Sequence, residues 1–236
     1  MSYQNKLLSR LSADDRDRLA PLMQKIELEE KQILLEPRQV IDYVYFPETS
    51  ICSMLAATEK KPAIEVGMFG YEGMSNFVTR PGDRSYLRTT VLLPGEAWRI
   101  SAAPFAEALS VLPTLNESVL RFKDALAVQF AYTSFANGSF SIEQRLARWL
   151  LMMQDRARRD VFTLVHDTMA GLLAVRRSGI TNATHVLEGE GAIRTTRGSI
   201  TIRDRDRLIA LAGESYGSAE YAYSMLFPTD QRATGK

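Results

Sequence analysis

Apolar residues recur at helical spacing in two runs between residues 163 and 187, and only a short gap separates them. The first run contains Leu164, Met169, Leu172 and Leu173, and the second contains Ile180, Ala183, Val186 and Leu187. Ala170 and Ala174 are small enough to let two short helices approach at a tight turn, and Ile180 supplies an apolar contact from the second helix. The pattern predicts a helix-turn-helix.

The residues after the second predicted helix alternate around a tip that contains glycine. Ala192 and Ile193 precede a basic tip at residues 194–198, and the run Ser-Ile-Thr-Ile returns on the other side at residues 199–202. Alternation about such a tip is typical of a β-hairpin. We therefore expect a wing beside the helix-turn-helix.

The second predicted helix carries hydrogen-bond donors on the positions that do not face the core. These residues are Arg176, Arg177, Ser178, Thr181, Asn182 and His185. Arg suits guanine, Asn suits adenine, and Ser or Thr suits a base or a phosphate in the major groove. A merely solvated basic face is the alternative for Arg176 and Arg177 taken alone. The turn, the apolar Ile180 and the basic wing together favour DNA binding.

Residues 140–216 resemble the DNA-binding half of the Crp/Fnr family of bacterial transcription regulators. The match lies in residues 141–150, 174–178, 186–189, 193–194 and 197–202. The resemblance implies that Arg177, Ser178 and Asn182 read bases, and we expect Arg176, Thr181, Arg194 and Arg197 to hold phosphates. The family usually has Gly in the turn and Ser or Thr at the start of the recognition helix. Here these residues are Ala174 and Arg176, so this helix lacks a side-chain N-cap.

The amino-terminal half changes from a short helical pair over residues 7–23 to regularly spaced β-rich runs. These runs cover residues 32–35, 40–46, 51–56, 63–68, 87–93 and 97–100, with turn residues between them. Many short strands at such spacing predict a double-stranded β-helix, or jelly roll. The Crp/Fnr resemblance extends to residues 44–47 and 65–74, where it implies a cyclic-nucleotide-binding-like β-roll. The fold class expected for the whole chain is α+β.

An effector pocket in this roll is predicted at Gly70, Glu72, Gly73, Arg84 and Ser85. A cyclic nucleotide needs an Arg and backbone N–H groups for its phosphate and an acid for its ribose. Glu72 follows an extra residue relative to the family's turn, Asp83 adjoins Arg84, and Phe130 and Ala131 stand where adenine would be bound. A Glu72 and Arg84 site and a degenerate roll are therefore both open, and the degenerate roll is favoured.

A long helix is predicted over residues 115–136. Its apolar stripe consists of Leu115, Val119, Phe122, Leu126 and Phe130, and further apolar residues flank this stripe. A helix that is apolar on much of its circumference needs burial on two sides. The resemblance implies a parallel dimer helix, which would hold two recognition helices ~34 Å apart on a near-palindromic operator. Asn137 and Gly138 give the strongest break signal and are the expected hinge.

These patterns divide the chain into four parts. We expect a sensor roll over residues 1–112, a dimerisation helix over residues 113–137, a winged helix-turn-helix over residues 138–217 and a C-terminal tail over residues 218–236. A helix over residues 139–153, with Leu146, Trp149, Leu150 and Met153 on one face, would open the DNA-binding part. Arg156, Arg158 and Arg159 follow it, and they either touch phosphate or are solvated.

The distribution of charge, the single cysteine and the two histidines limit the kinds of partner and cofactor that this chain can bind. Residues 156–207 carry ten Arg and six acids in a chain whose net charge is +1, which fits one basic module joined to an acidic one. Cys52 is the single cysteine, so four cysteines of one chain cannot hold an iron–sulfur cluster. The two histidines, His166 and His185, lie in the helix-turn-helix, which disfavours haem in the roll. No cofactor or metal is expected, and a cyclic nucleotide is not favoured.

The leading hypothesis is a homodimeric, sequence-specific transcription regulator that binds double-stranded DNA, with RNA polymerase as a candidate further partner. The alternative is a small-molecule-binding protein whose winged helix serves protein contacts. An enzyme is disfavoured because no Ser/His/Asp arrangement, metal-ligand cluster or phosphate-cradling loop is evident. No apolar run approaches the ~20 residues of a membrane span, and no signal-peptide core is seen, so a cytoplasmic protein is expected.

Overall fold

The computed structural model describes residues 3–228. Its amino-terminal helical pair consists of α1 (Lys6–Ser9) and α2 (Ala13–Leu19). Both helices are capped by side chains, as the side chain of Asn5 accepts from the N–H groups of Leu7 and Leu8, and Ser12 Oγ accepts from the Asp15 N–H at 3.1 Å. These caps satisfy backbone donors that have no partner inside the helix. The predicted helical pair is therefore confirmed.

Seven antiparallel strands form the β-roll that follows. Their bounds are β1 (Gln24–Leu28), β2 (Ile33–Leu35), β3 (Tyr43–Pro47), β4 (Ile51–Ala56), β5 (Ile64–Phe69), β6 (Arg88–Leu93) and β7 (Gly95–Ser101). One sheet has the order β1-β7-β3, and the other has the order β2-β6-β4-β5. Buried Leu28, Phe46, Phe69 and Met74 belong to the same apolar core. The predicted mixed fold with an antiparallel roll is confirmed.

Two helices lead out of the roll, α3 (Ala102–Val111) and α4 (Pro113–Ser139). The long helix α4 does not stop at the predicted hinge, because Asn137 and Gly138 form part of its last turn and its C-cap is Phe140. Asn-Gly pairs commonly mark turns, but here the helical hydrogen bonds run past the pair, since the Phe140 N–H still donates to the Ala136 carbonyl at 3.2 Å. The helical boundary therefore lies a few residues later than predicted.

The stripe predicted to form the dimer contact faces the roll of its own chain instead. Leu115, Val119, Phe122 and Leu126 are buried in the roll core, and Phe130 packs against it. The expectation that these five residues meet a partner is therefore wrong, since the roll already covers them. The opposite face of α4 carries exposed Leu120, Ala127, Ala131 and Phe135.

The carboxyl-terminal half, predicted to bind DNA, contains four helices and a three-stranded sheet. Its elements are α5 (Ile142–Ala157), β8 (Val161–Thr163), α6 (His166–Leu172), α7 (Arg177–Gly189), β9 (Ile193–Thr196), β10 (Ser199–Ile202) and α8 (Arg205–Ala212). The sheet has the order β8-β10-β9. Leu146, Trp149, Leu150 and Met153 are all buried in one core with Phe162 and Ile180, as the helical spacing predicts.

The region expected as a tail begins with an ordered helix, α9 (Ser218–Leu226). This helix packs along α4, and the Tyr223 hydroxyl donates to the Glu72 carbonyl at 2.9 Å. The assignment of residues 218–226 to a tail is therefore corrected, because the helix buries Ala219 against the rest of the chain. Residues 229–236 of the expected tail lie outside the described residues. Within residues 3–228, no helix has both the length and the apolar composition that a membrane span requires.

Candidate nucleic-acid interface

The turn between α6 and α7 brings two short helices into contact. Ala170 and Ile180 are buried at this crossing, as predicted. Ala174 has φ +53°, the left-handed conformation that glycine adopts most readily. Arg176 is the N-cap of α7 and its side chain caps no backbone N–H, in agreement with the missing Ser or Thr. The sequence departures from the family pattern thus have visible local consequences.

The recognition helix α7 has one buried face and one face in solvent. Ile180, Ala183 and Leu187 are fully buried, whereas Arg177, Ser178 and Asn182 are exposed. Val186, which the spacing placed in the apolar run, is 46% exposed. The three residues predicted to read bases therefore lie together on the open side of the helix. Helical donors on an open face can reach base edges in a major groove.

The wing continues this surface. Its two strands are joined by Arg197 and Gly198, and Gly198 alone of the two has a positive φ, +75°, as the Gly position of a type II turn requires. Glu188 at the end of α7 accepts from both the N–H and the hydroxyl of Thr195, each at 2.8 Å. These hydrogen bonds lower the pKa of Glu188, the Thr195 N–H having the largest effect. Glu188 therefore fixes the wing, with exposed Arg194 and Arg197, relative to the recognition helix.

Two residues of α6 contact the predicted DNA-binding residues, and the sequence patterns did not single out this role for either. Asp167 Oδ1 lies 3.3 Å from Arg177 Nε, and both side chains are 69% exposed. His166 Nδ1 lies 3.1 Å from Thr181 Oγ1, whose hydroxyl donates to the Arg177 carbonyl at 3.2 Å. Both pairs border a groove between α6, α7 and the wing. Their positions follow from the crossing of the two helices, which local spacing does not specify.

The predicted effector residues do not form one site. Arg84 is exposed, and its guanidinium donates to the Arg38 carbonyl at 2.7 Å. Glu72 is buried and points the other way, where Glu72 Oε1 lies 2.7 Å from Arg156 Nε of the DNA-binding half. Ser85 is buried and donates to the Leu87 carbonyl at 2.8 Å. The Glu72 and Arg84 site is therefore wrong, because Glu72 already has another cation as its partner.

Aromatic rings fill the space between the roll and α4. A Cβ atom on Gly73 would lie 2.2 Å from Phe122 Cζ, and one on Gly67 would lie 2.5 Å from Phe130 Cε1. Only glycine allows rings to approach the backbone so closely. Gln129 is also occupied, since its side chain bonds to both the N–H and the carbonyl of Met68 at 2.7 and 3.1 Å. Gly70 is held by Glu72, which accepts from the Gly70 N–H at 3.0 Å.

The basic cluster at the end of α5 serves the joint between the two halves. Arg156 pairs with Glu72 and is almost fully buried, so the expectation that it touches phosphate or solvent is wrong. The Arg158 guanidinium lies 3.6 Å from the centroid of the Tyr71 ring. Arg159 is exposed, as expected. A helix that ends against the roll brings these residues there, which the sequence alone did not indicate.

A second contact between the halves is a hydrogen bond between two buried side chains. Trp149 Nε1 of α5 donates to Glu65 Oε1 of β5 at 2.8 Å, and the Ser53 hydroxyl of β4 donates to the other carboxyl oxygen. Burial raises the pKa of Glu65 to about 7, although Ser53, Trp149, Arg156 and Arg148 oppose this shift. Neutral carboxyl groups are favoured where water is excluded. Sequence spacing gave no signal for this carboxyl.

Cys52 and the metal-binding residue types add no further site. Cys52 is fully buried in the roll core, and burial raises the pKa of its thiol far above the usual range. A buried thiol with a raised pKa is a poor nucleophile. Within residues 3–228, no group of His, Cys, Asp and Glu is arranged to hold a metal ion.

Comparison with known proteins identifies the DNA-binding half and the fold. Residues 144–211 match the family described as the Crp-like helix-turn-helix domain. FixK2 from Bradyrhizobium japonicum has a similar structure, with a TM-score of 0.69, 14% identity, and coverage of 81% of this chain and 98% of that chain. A Crp/Fnr-family transcriptional regulator from Thermus thermophilus is also similar, with a TM-score of 0.64 and 17% identity over 82% of this chain and 100% of that chain.

The c-di-GMP responsive global regulator CLP of Xanthomonas campestris is also similar, with a TM-score of 0.65 and 11% identity over 81% of this chain and 99% of that chain. At such identities the likeness shows the fold. No curated protein sequence matches the chain. The expected resemblance to Crp/Fnr regulators is confirmed by the matched domain and by the shared architecture.

Proposed function

Because residues 144–211 form a Crp-like helix-turn-helix domain within a Crp/Fnr fold, we propose that this chain is a homodimeric transcription regulator that binds double-stranded DNA sequence-specifically. Arg177, Ser178 and Asn182 read base edges, and Arg176, Arg194 and Arg197 hold phosphates. Thr181 holds a phosphate only after its hydroxyl releases the Arg177 carbonyl. The observation that carries the proposal is the recognition helix, whose apolar face is buried while its three base-reading candidates face solvent. Such a regulator acts in the cytoplasm, and contact with RNA polymerase stays a prediction.

The positive charge of the exposed Arg side chains on this surface supports DNA, whose phosphates are negative, as the partner. Arg197 lines the groove, and Arg176, Arg194 and Arg197 are all exposed with no carboxylate within 4 Å among the ion pairs of residues 3–228. Phosphate contacts by such cations supply the sequence-independent part of binding and make it depend on salt. Arg177 is the exception, since Asp167 lies beside it and can orient it toward a base.

Arg177→Ala tests the assignment of the recognition helix. Loss of a base contact by Arg costs ~1–3 kcal/mol, so affinity for a selected operator should fall about 5- to 150-fold while affinity for unrelated DNA changes little. Fluorescence anisotropy with labelled duplexes measures both affinities. Arg18→Ala on α2, whose side chain is 51% exposed, is the matched control. Operator affinity within twofold of the unaltered protein would refute the assignment.

The alternative function is a small-molecule-binding protein whose winged helix contacts proteins. The salt dependence of duplex binding distinguishes it from a DNA-binding regulator. A phosphate-binding surface loses affinity steeply as salt is raised, because each neutralised phosphate releases condensed cations. Losses of this kind are large between roughly 50 and 200 mM salt. The alternative is favoured if the chain does not bind duplex at low salt, or if its duplex affinity does not fall over this range. We propose no cyclic-nucleotide site, since Glu72 and Arg84 face different surroundings.

A further inference from the structure

A cavity of about 230 Å³ lies where the roll meets the DNA-binding half. Its walls come from the turn at residues 70–73, from α4, from the end of α5 and from α9. The space has the volume of about eight water molecules, so it suits a small ligand rather than a nucleotide. Phe122 lines the cavity and also lies against Gly73 of the roll, whereas Phe130, which lies against Gly67, does not line it.

The cavity is lined mainly by apolar and aromatic groups. Phe122, Leu126 and Ala219 form the apolar part, and Tyr71, Tyr216 and Tyr223 supply three phenol rings. Two of the three hydroxyls have partners elsewhere, since Tyr223 donates to the Glu72 carbonyl and Tyr216 donates to Asp155 Oδ2 at 2.8 Å. A ligand in this space therefore needs an apolar body.

Two charged residues that line the cavity, Glu220 and Lys6, take part in none of the ion pairs of residues 3–228. Glu72 is paired with Arg156, and Asp155 is paired with Arg205 at 2.7 Å. Glu220 accepts from the Gly217 N–H at 2.9 Å and lies in the field of Arg148 and Arg156. Lys6 differs from these groups.

The Lys6 ammonium lies 5.0 Å and 5.4 Å from the ring centroids of Tyr71 and Tyr223. Among the ion pairs of residues 3–228, none includes Lys6. The Lys6 ammonium favours an anionic group, because a carboxylate takes a charge-assisted hydrogen bond from it.

We propose that this cavity binds a small apolar carboxylate, with its carboxylate on Lys6 and its body against Phe122, Leu126 and Ala219, and that the ligand regulates DNA binding. The proposal rests on the proposed function and names the effector class for it. Lys6, Tyr71 and Glu72 belong to the sensor half, whereas Asp155, Arg156 and Tyr216 belong to the DNA-binding half. A ligand that contacts both sides favours one arrangement of the halves over others.

The experiment uses the full chain and benzoate as the probe, with benzamide as the neutral molecule of the same shape. Calorimetry and ligand-observed NMR measure binding of each compound without DNA. We expect benzoate to bind at least about tenfold more tightly than benzamide, since a charge-assisted hydrogen bond is worth ~1.5–3 kcal/mol. Lys6→Gln removes the charge, and Ala219→Leu fills the cavity. Both should weaken benzoate binding about tenfold or more, whereas Lys60→Gln, in the exposed loop after β4, should not.

Several results would overturn the proposal. The first is that benzoate does not bind, and the second is that benzamide binds as tightly as benzoate. The third is that folded Lys6→Gln and folded Ala219→Leu both bind benzoate within twofold of the unaltered chain. Circular dichroism shows whether each variant is folded, so loss of binding is assigned only to folded protein. Operator affinity is then measured with and without saturating benzoate. A change below twofold would refute the regulatory part, whereas an absence of DNA binding without benzoate or with it would count against the proposed function instead.

Discussion

Ala174 occupies a backbone conformation that is costly for any residue with a Cβ atom. Its φ of +53° lies in the left-handed region, where a non-glycine residue loses ~1–2 kcal/mol. The side chain is exposed, so no packing offsets this cost. The turn of the helix-turn-helix keeps the conformation because α6 and α7 are fixed by their buried contacts, including Ala170 and Ile180.

Ala174→Gly should therefore stabilise the protein. The relief of the left-handed conformation exceeds the added flexibility of the unfolded chain, which costs ~0.4–1 kcal/mol, so a net gain of up to about 1 kcal/mol is expected. Thermal unfolding should show a rise in Tm of ~2 °C. Ala210→Gly on the exposed side of α8 is the control and should lower Tm. Equal decreases in both variants would contradict the strain argument.

Single residues were predictable where their role is local. Helical spacing placed Arg177, Ser178 and Asn182 off the core and the family resemblance assigned them to base reading, and they lie on the open face of α7. Glu72 and Arg84 were assigned by comparison with the cyclic-nucleotide site of the Crp/Fnr family, and the fold separates them. The partner of Glu72 is Arg156, which lies far away in the sequence. Only the docking of the two halves determines such a pair, and no local pattern records it.

At the scale of elements, β5 and α5 are joined through a buried carboxyl. Glu65 accepts from Trp149 Nε1 at 2.8 Å, and the facing charged groups are Arg148 and Arg156 of α5. From β4 the facing polar group is Ser53. The ionisable residues of α6, His166 and Asp167, are engaged with Thr181 and Arg177. Burial raises the pKa of Glu65 from 4.5 to about 7, so the folded chain retains a proton that the unfolded chain loses.

The stabilising effect of Glu65 is therefore fully present below pH 4.5 and is lost as pH rises to about 7. Over this window the loss reaches about 3 kcal/mol, at ~1.4 kcal/mol for each pKa unit. Glu65→Gln imitates the protonated carboxyl and should remove this part of the pH dependence of Tm. The measurement compares Tm of the two proteins between pH 5 and pH 7.5, roughly the window in question.

Trp149 emission gives a local check in a Trp98→Phe background, where Trp149 is the remaining tryptophan. A red shift with rising pH in the chain with Glu65, and none with Glu65→Gln, is the expected result. Parallel pH profiles of Tm and emission in the two proteins would show that the Glu65 carboxyl does not control this contact.

Elements were predictable where their pattern is complete within a few residues. The hairpin of β9 and β10, the two helices α6 and α7 and most roll strands follow from local spacing and turn residues. The direction in which α4 buries its apolar stripe was not predictable, because the roll and a second copy present equally apolar partners to the same sequence. Helix α9 was missed although its pattern is no weaker than that of other helices, and its position depends on packing against α4, which local spacing does not record.

For the whole molecule, the exposed face of α4 is the surface on which the proposed dimer depends. Leu120, Ala127, Ala131 and Phe135 lie along one side of the helix, with exposed Asp124 between Leu120 and Ala127, and Leu120 and Phe135 are 52% and 53% exposed. Small residues between larger apolar ones let two helices approach closely, so this side suits a second copy of the same helix. The residues first expected at this contact are buried in the roll.

Leu120→Asp should convert the dimer into a monomer, because a like charge would be buried opposite itself at the two-fold axis. Light scattering should give half the molar mass, and operator affinity should fall by more than about tenfold because each monomer binds a single half-site. Val111→Asp, on a similarly exposed apolar residue of α3, is the control. An unchanged molar mass for Leu120→Asp would show that the dimer contact lies elsewhere.

The central claim, a two-fold symmetric DNA reader, is tested most directly by selection of bound duplexes from a random pool with the full chain. The account predicts an enriched inverted repeat whose half-sites are centred about one helical turn, 10–10.5 base pairs, apart. It further predicts that Arg177→Ala relaxes the preference at one position of each half-site. An enriched single half-site without symmetry would contradict the dimeric arrangement, and no enrichment at any salt concentration would contradict sequence-specific DNA binding itself.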